Sequence, residues 1–167
     1  DTDRSRGLGD VYKRQLLTQS TEAIPQGSYK EQQETEGTGT VSTYVPFRNG
    51  LFLSAAASLA LSLDCGYIYY GAHSDDAAGN AYPDCTEHFY KSMGDAIFEG
   101  SGKECSLEAP FINHNKADVV KEGLRLGVPY HLTWSCYEGG DKPCGHCGTC
   151  IDRQAAFEAN GVKDPAL

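Results

Sequence analysis

Four cysteines near one end of the sequence constrain the fold more than any other feature. Within fifteen residues, the string WSCYEGGDKPCGHCGTC contains Cys136, Cys144, Cys147 and Cys150. Two C-x2-C steps bring successive sulfur atoms within reach of one ion, and four thiolates complete the tetrahedral ligand set of zinc. Because no coordination position is left for a reacting water, the spacing predicts one structural zinc ion, with the chemistry elsewhere in the chain.

Other side chains near these cysteines have competing interpretations. His146 lies between Cys144 and Cys147 and is an alternative ligand, but we expect it to be a loop residue because four thiolates are already present. Trp134 and Tyr137 flank the first cysteine. Their rings fit either stacking on a flat substrate or packing around the metal loop.

The composition narrows the class of protein. A chain of 167 residues that is 40% hydrophobic can bury one core of single-domain size. The net charge of -9 disfavours a surface for nucleic-acid phosphates, and no apolar run reaches the roughly 18 residues of a membrane span. The remaining cysteines are scattered, so we expect a cytoplasmic protein in which Cys65, Cys85 and Cys105 are small buried side chains. Cys85 is the possible exception, because it lies within a polar stretch of the sequence.

The N-terminal part of the sequence has no apolar periodicity. Residues 1–15, DTDRSRGLGDVYKRQ, are basic and polar, and we expect them to be foreign or disordered. Residues 16–44 are rich in Gln, Glu, Thr, Ser and Gly and are expected to form a long loop or lid. The sequence therefore predicts one domain over residues 16–167, with its metal site at residues 136–150.

Helices and strands alternate from residue 46 onward. An apolar helix is predicted after Pro46, buried on nearly every side, and the run YIYYGA after it is typical of a buried parallel strand. A helix over residues 84–99, a strand at CSLEAPF and a helix through KADVVKEGLRLG follow. This order predicts an α/β domain with a parallel sheet.

Two groups of polar residues interrupt these elements. Arg48 and Asn49 stand at the start of the apolar helix, where free N–H groups and a guanidinium favour a phosphate or carboxylate, although a surface salt bridge is the alternative. Asp84 and Glu87 follow the first strand, where ligands bind in parallel sheets. Their spacing also fits a capping box that opens the next helix.

Several strings together resemble one family. YVPFRNGLFLS, AYPDCTEHF, KADVVKEGLRLGVPYHLTWSCYEGG and CGHCGTC, in this order and spacing, are similar to the 7-cyano-7-deazaguanine synthases of queuosine biosynthesis. The resemblance runs from about residue 16 to the end of the sequence. It implies a three-layer, Rossmann-like fold of the adenine-nucleotide alpha-hydrolase type, with a C-terminal zinc-binding loop.

The resemblance also implies an ATP-dependent C–N ligase. Members convert 7-carboxy-7-deazaguanine and ammonia to the 7-cyano product, preQ0, with ATP as cosubstrate and one zinc ion bound by four cysteines. The small-molecule partners would then be the carboxylate, ammonia and ATP, with neither membrane nor direct nucleic acid, and homodimers are common in the family. By the same resemblance Arg48, Asn49, Asp84 and Glu87 match positions that bind substrate or nucleotide, whereas no catalytic residue is assigned.

One motif of the family is not found in this sequence. Members carry a first strand and an SGGxDS loop whose backbone donors hold the ATP phosphates, and the 167 residues contain no such string. We therefore expect an N-terminally truncated and inactive chain.

Two other classes of protein remain as alternatives. An iron-sulfur electron carrier shares the C-x2-C-x2-C spacing, although bacterial ferredoxins place Pro after the last cysteine and here Ile151 follows it. A non-catalytic, zinc-stabilised binding module would use the same four cysteines. The colour of the protein and its metal content distinguish iron from zinc.

Overall fold

The computed structural model describes residues 24–36, 39–41 and 43–166. The chain clusters into two compact units, which we call the sheet unit (residues 46–115) and the cysteine unit (residues 1–45 and 116–167). The expected tail at residues 1–15 lies outside the described residues, and the single domain over residues 16–167 stays a prediction. Among the residues that the structure describes, every helix is too short or too polar to cross a membrane.

The helices and strands follow in a simple order. Within the described ranges, the helices of four or more residues are α1 (Tyr29–Glu36), α2 (Arg48–Ser62), α3 (Ser74–Ala77), α4 (Glu87–Gly100), α5 (Lys116–Arg125) and α6 (Gly148–Ala159). The strands in this part of the chain are β1 (Tyr67–Tyr69) and β2 (Ser106–Glu108). Short 3₁₀ turns occupy Ala78–Asn80, Pro83–Cys85 and Tyr130–Leu132.

The sheet unit confirms the predicted parallel pairing. Strands β1 and β2 are parallel neighbours, with Ile68 opposite Leu107. The connection between them runs through α4, as a parallel crossover requires. Apolar side chains of α2, α4 and both strands form one core, made of Leu53, Ala60, Ile68, Ile97, Cys105 and Leu107. Phe89 and Met93 pack against this core on the predicted face of α4.

The prediction that α2 is buried on nearly every side is wrong within this unit. Leu53 is 5% exposed, whereas Phe52 is 59% and Leu59 is 60% exposed. The two-stranded sheet covers one face of the helix, and the opposite face meets solvent in the described residues. Likewise only the middle residue of β1 is buried, so YIYYGA is not a fully buried strand here.

The thiols outside the cluster differ in their surroundings. Cys85 and Cys105 are buried, as expected for small apolar side chains, but Cys65 is exposed. It follows α2 in the turn that leads into β1, where Asp64 adopts a left-handed conformation. The expectation of a buried thiol is therefore wrong at Cys65.

The predicted loop over residues 16–44 is wrong where α1 forms. The Ser28 hydroxyl accepts a hydrogen bond from the Glu31 N–H at 3.3 Å, and the Glu31 carboxylate accepts one from the Ser28 N–H at 2.7 Å. This reciprocal pair is a capping box, which satisfies two N–H groups at the helix start. The S-x-x-E pattern was visible in the sequence, but the polar composition of the segment concealed it.

Helices α5 and α6 form the core of the cysteine unit. Val120, Ala156 and Phe157 are buried together, with Phe157 only 2% exposed. Tyr130 packs its ring edge-to-face on Phe157 at a centroid distance of 4.9 Å. Because α6 also carries Cys150, this core fixes the helix from which one predicted metal ligand projects.

Candidate functional site

The four cysteines predicted as ligands lie together in the cysteine unit. Their Sγ atoms all lie within 4.8 Å of one another. The Sγ atoms of Cys144 and Cys150 are 4.0 Å apart, close to the roughly 3.8 Å separation that four sulfurs at the zinc–sulfur bond length give in a tetrahedron. Three of the cysteines are buried and Cys144 is half-buried. The donor set therefore fits one metal ion.

Backbone N–H groups of the loop point at these sulfur atoms. The Cys144 N–H donates to the Sγ of Cys136 at 3.4 Å, and the Cys147 N–H donates to the Sγ of Cys144 at 3.3 Å. Such bonds stabilise sulfur in its thiolate form. Cys147 is also the residue that precedes the first turn of α6, where backbone dipoles favour negative charge.

The electrostatics of the cluster favour a bound cation. Burial raises the pKa of Cys147, but hydrogen bonds with the Thr149 hydroxyl and with the N–H groups of Tyr137 and Cys150 lower it to about 6 overall. Burial and contact with Cys147 and Cys136 raise the pKa of Cys150 to about 12. One buried thiolate thus disfavours the next, and a divalent cation removes that repulsion.

A segment before α1 covers the cluster, and we call Ile24–Ser28 the strap. Ile24 packs against the cysteines, Gln26 forms an antiparallel bridge with Cys147, and the Gly27 N–H donates to the His146 carbonyl at 3.2 Å. The ring of His146 bonds to the Gln26 side chain. His146 therefore lies in the loop that carries the cysteines and faces the strap, as expected for a residue outside the ligand set.

Two further hydrogen bonds hold the segment around Cys136. The Trp134 indole donates to the Cys136 carbonyl at 3.0 Å, although 49% of the residue is exposed. Thr149 donates to the Ser135 carbonyl at 2.7 Å and so joins α6 to the segment before Cys136. The sequence reasoning missed Thr149, because a threonine beside a cysteine carries no motif of its own.

In the sheet unit, two of the predicted binding residues are in contact. The Asn49 backbone N–H donates to Oδ2 of Asp84 at 2.9 Å, and the Asn49 side chain donates to the Asp84 carbonyl at 3.4 Å. Tyr70, directly after β1, donates its hydroxyl hydrogen to the same carbonyl. Asp84 is 3% exposed. The carboxyl end of β1 thus meets the start of α2 through Asp84.

This contact changes the interpretation of the start of α2 as a site for a phosphate or carboxylate ligand. The Asp84 carboxylate occupies an N–H group of the first turn of α2 that the sequence reasoning had reserved for a ligand. Arg48 is half-buried, and the salt bridges among the described residues do not include it. The surface salt bridge offered as the alternative for Arg48 is therefore not observed in this part of the chain.

The structure places Glu87 differently from the other three predicted residues. Glu87 is exposed and its carboxylate pairs with Lys91 at 2.8 Å. Hydrogen bonding to Lys91, the Lys91 charge and a hydrogen bond from Asn113 lower the pKa of Glu87. Thr86, not Asp84, caps α4, since its hydroxyl accepts from the Phe89 N–H at 3.1 Å. The alternative of an Asp84–Glu87 capping box is wrong.

Buried groups around Asp84 are held in their neutral forms. Burial raises the pKa of Cys85 to about 11, and it also raises the pKa of Tyr70. The Asn49 side chain donates to the Sγ of Cys85 at 3.4 Å. Cys85 is therefore a buried thiol whose surroundings favour its neutral form. Nearby in the chain, His73 is buried and its Nε2 lies 3.3 Å from the Asp76 carboxylate.

Comparison with known proteins identifies the family. The sequence model described as "Queuosine biosynthesis protein QueC" matches residues 7–161. The chain belongs to this QueC family. Similar curated proteins carry the name 7-cyano-7-deazaguanine synthase. One from Archaeoglobus fulgidus is 45% identical over 147 residues, and one from Marinobacter nauticus is 39% identical over 160 residues.

The alignments cover most of this chain but a smaller share of each relative. The Archaeoglobus fulgidus alignment covers 87% of this chain and 58% of the relative, and the Marinobacter nauticus alignment covers 96% and 68%. A relative from Caldicellulosiruptor saccharolyticus, 45% identical, is covered over 63% of its length by 89% of this chain. The chain thus spans about three-fifths of the length of the Archaeoglobus fulgidus and Caldicellulosiruptor saccharolyticus relatives.

Proposed function

We propose that this chain is part of a 7-cyano-7-deazaguanine synthase, an ATP-dependent C–N ligase of queuosine biosynthesis that acts in the cytoplasm. The observation that carries the proposal is the family match over residues 7–161. The proposed reaction is inferred from the relatives that bear this name. The parallel strands support a Rossmann-like fold of the adenine-nucleotide alpha-hydrolase type.

The proposed reaction requires activation of a carboxylate. An oxygen of the 7-carboxylate group is a poor leaving group, so ammonia does not displace it directly. Transfer of AMP from ATP to the carboxylate releases pyrophosphate and creates a leaving group. Ammonia then forms the amide and releases AMP. A second ATP transfers AMP to the amide oxygen and releases pyrophosphate, and loss of that oxygen as AMP together with the two N–H protons gives the nitrile.

The polar cluster at the carboxyl end of β1 has proposed binding roles. Arg48 binds a phosphate or the substrate carboxylate, because its guanidinium is a bidentate donor that forms no salt bridge with a carboxylate of the described residues. Asn49 fixes Asp84 through Oδ2, so the base is proposed to donate to Oδ1. Glu87 is proposed to accept from the base in exchange for Lys91.

The metal is proposed to be one zinc ion held by Cys136, Cys144, Cys147 and Cys150. Four sulfur donors within 4.8 Å of one another support this choice. Zinc bound there would stabilise the loop and leave no coordination position for substrate. A colourless protein that releases one zinc ion per chain on denaturation is the expected result, whereas a brown protein with visible absorbance would favour the iron-sulfur alternative.

We further propose that these 167 residues alone form no nitrile. The sequence contains no SGGxDS string for the ATP phosphates. Incubation with 7-carboxy-7-deazaguanine, ammonia, Mg²⁺ and ATP should give no product by mass spectrometry. Measurable turnover would refute this part of the proposal. A homodimer is the proposed assembly, and size-exclusion chromatography with light scattering tests it.

The function itself is tested with a hybrid enzyme. In the hybrid, this chain replaces the matching part of the Archaeoglobus fulgidus relative, which supplies the rest of its own length. The hybrid should form the nitrile. The Arg48→Ala hybrid should lose turnover strongly, and Cys65→Ser, which changes an exposed thiol, should not. A folded, zinc-loaded hybrid with no nitrile or amide product would contradict the proposed activity.

A further inference from the structure

Cys136 is the ligand whose position needs an explanation. Three of the four cysteines belong to the C-x2-C-x2-C run, in which the backbone itself fixes the spacing. Cys136 precedes that run by eight residues, and its connection through EGGDK contains Gly139 and Gly140, both with positive φ. A connection of this kind does not define where the first sulfur lies. The Cys144 N–H bond to the Cys136 sulfur is one contact within the loop. Contacts outside the loop must supply the rest of what holds Cys136 near the other cysteines.

Arg153 makes such contacts from α6. It lies three residues after Cys150, so the two side chains share one face of the helix. Its guanidinium donates to the Thr133 hydroxyl at 2.8 Å and to the Tyr130 carbonyl at 3.2 Å. A longer contact of 3.5 Å reaches the Ser135 hydroxyl, next to the ligand itself. Arg153 thus joins the helix of one ligand to the segment that leads into another.

Asp164 holds the guanidinium in this orientation. Its two carboxylate oxygens accept from Arg153 Nε at 2.6 Å and from Nη2 at 2.9 Å, and the two side chains are 2% and 11% exposed respectively. The Ala166 N–H fixes the same carboxylate at 3.0 Å. The face of the guanidinium lies over the Phe157 ring, 5.4 Å from its centroid. Asp164 holds one edge of the planar guanidinium, and the Phe157 ring covers its face. The remaining N–H groups can therefore point only toward Thr133.

A purely stabilising role for the ion pair explains less of this geometry. A buried Arg–Asp pair is weak evidence for stability, because desolvation of both charges offsets their attraction. It would also need no bonds to residues 130–135. The guanidinium nevertheless uses N–H groups that Asp164 does not occupy on Thr133 and Tyr130. These extra bonds act on the segment that ends at Cys136.

We propose that Arg153, oriented by Asp164, is a positioning residue that sets the place of Cys136 relative to Cys150 before the metal binds. The inference rests on the proposed metal site and on no step of the proposed reaction. Its consequence is preorganisation: without Arg153 the metal must order the 130–136 segment itself, and this ordering lowers its affinity. Arg153 contacts no metal ligand through its guanidinium in the described hydrogen bonds, so its effect is indirect.

The test measures zinc affinity of the 167-residue chain by competition with a chromogenic chelator. The double variant Arg153→Leu/Asp164→Leu removes both charges together, so no unpaired buried charge remains to unfold the protein. Its zinc affinity should fall about 10-fold to 100-fold. Thr133→Val keeps the ion pair and removes one acceptor of Arg153, and a loss of about fivefold is expected.

Two further variants separate positioning from charge and from general stability. Arg153→Lys retains the positive charge but loses the planar fork, so its zinc affinity should fall nearly as far as in the double variant. Asn160→Ala is the matched control on the same helix, since Asn160 bonds to Ala117 and Ala156 instead of to the 130–136 segment. It should lower the unfolding temperature without changing zinc affinity.

Cobalt substitution adds a readout that stability alone does not move. Co²⁺ in the wild-type chain should show the intense visible bands and the thiolate charge-transfer absorption of a four-sulfur site. The double variant should show weaker bands, because Cys136 is then partly replaced by water. Equal zinc affinities of wild type, Thr133→Val and the double variant would overturn the inference, as would full affinity of Arg153→Lys. If the wild-type chain binds no zinc, the proposed metal site itself has failed.

Discussion

The cysteine cluster and the Asn49–Asp84 contact show two different ways to bury polar groups. The four sulfur atoms lie within 4.8 Å of one another and receive N–H bonds from their own loop. Asn49 and Asp84 are 35 residues apart in sequence, and a buried carboxylate there is bonded to the start of a helix. The four sulfur atoms converge on a position where an ion can bind. The Asp84 carboxylate, in contrast, already has a hydrogen-bond partner within the protein.

This difference separates a ligand set from a structural contact. Four converging thiolates repel one another unless a cation is present, so the arrangement itself indicates a ligand. A carboxylate at a helix start is stable without any ligand, because the N–H groups and the helix dipole satisfy it. Burial and polarity alone therefore do not identify a binding site.

The largest expected effect is removal of the proposed zinc ion. Cys147→Ser, or treatment with a strong chelator, should unfold the 136–150 loop, because binding of a structural zinc contributes on the order of 10 kcal/mol. Amide hydrogen exchange should become fast at Cys144 and Cys150 and stay slow at Tyr70 and Ser106, whose N–H groups bond across the two strands of the sheet unit. Cys65→Ser is the control. Unchanged exchange in the chelated loop would show that the cluster folds without a metal.

The next effect concerns the two faces of α2. Leu53→Ala should lower the free energy of unfolding by about 2 to 5 kcal/mol, because it leaves a cavity in the core of the sheet unit. The neighbouring Phe52→Ala changes a side chain that is 59% exposed and should cost less than about 1 kcal/mol. Urea unfolding measures both. A large loss for Phe52→Ala would mean that another surface covers this face in solution.

A smaller effect distinguishes the two roles of Asp84. Asp84→Ala frees the Asn49 N–H and should cost about 1 to 2 kcal/mol of stability, whereas Asp84→Asn keeps an acceptor and should cost less. In the hybrid enzyme the same Asn variant tests binding. If Asp84 also accepts from the base, Asp84→Asn should raise KM while the folded protein stays stable. Unchanged KM would restrict Asp84 to its helix-capping role.

The sequence predicted contacts between residues close in the chain, but not those between distant residues. Cys144, Cys147 and Cys150 follow one another at intervals of three residues, and this short-range geometry was enough to predict that they converge. The periodicity of Phe89 and Met93 likewise predicted the buried face of α4. The sequence alone also indicated the family, since the quoted strings belong to matched residues 7–161.

Contacts between distant residues were not predictable in this way. The pairing of Arg153 with Asp164 depends on how the chain folds back after α6, and no motif records it. The exposure of Phe52 and Leu59 depends on how many strands cover α2. Asp84 was selected for its charge, but its role at α2 depends on a turn that brings residues 49 and 84 together.

The smallest expected effect tests the capping box of α1. Hydrogen bonds from the Ser28 N–H and hydroxyl lower the pKa of Glu31. The Glu31 contribution to helix stability is therefore fully present above its unfolded pKa of about 4.3 and is lost as the pH falls through the lower folded value. Ser28→Ala should speed amide exchange in α1 about fivefold at neutral pH, because one cap is removed.

Replacing Glu31 separates the charge from the hydrogen bond. Glu31→Gln retains a side chain that can close the capping box, so α1 should stay protected at neutral pH. Unlike the wild-type helix, it should not open further as the pH falls from about 4.3 through the lower folded pKa of Glu31. Glu34→Gln, on an exposed side chain of the same helix, should keep the pH dependence of the wild-type helix.

Since Ile24 packs on the cysteines just before the capping box of α1, Ser28→Ala should also speed zinc loss to a chelator. Faster helix opening with an unchanged rate of zinc loss would show that the strap covers the cluster independently of α1.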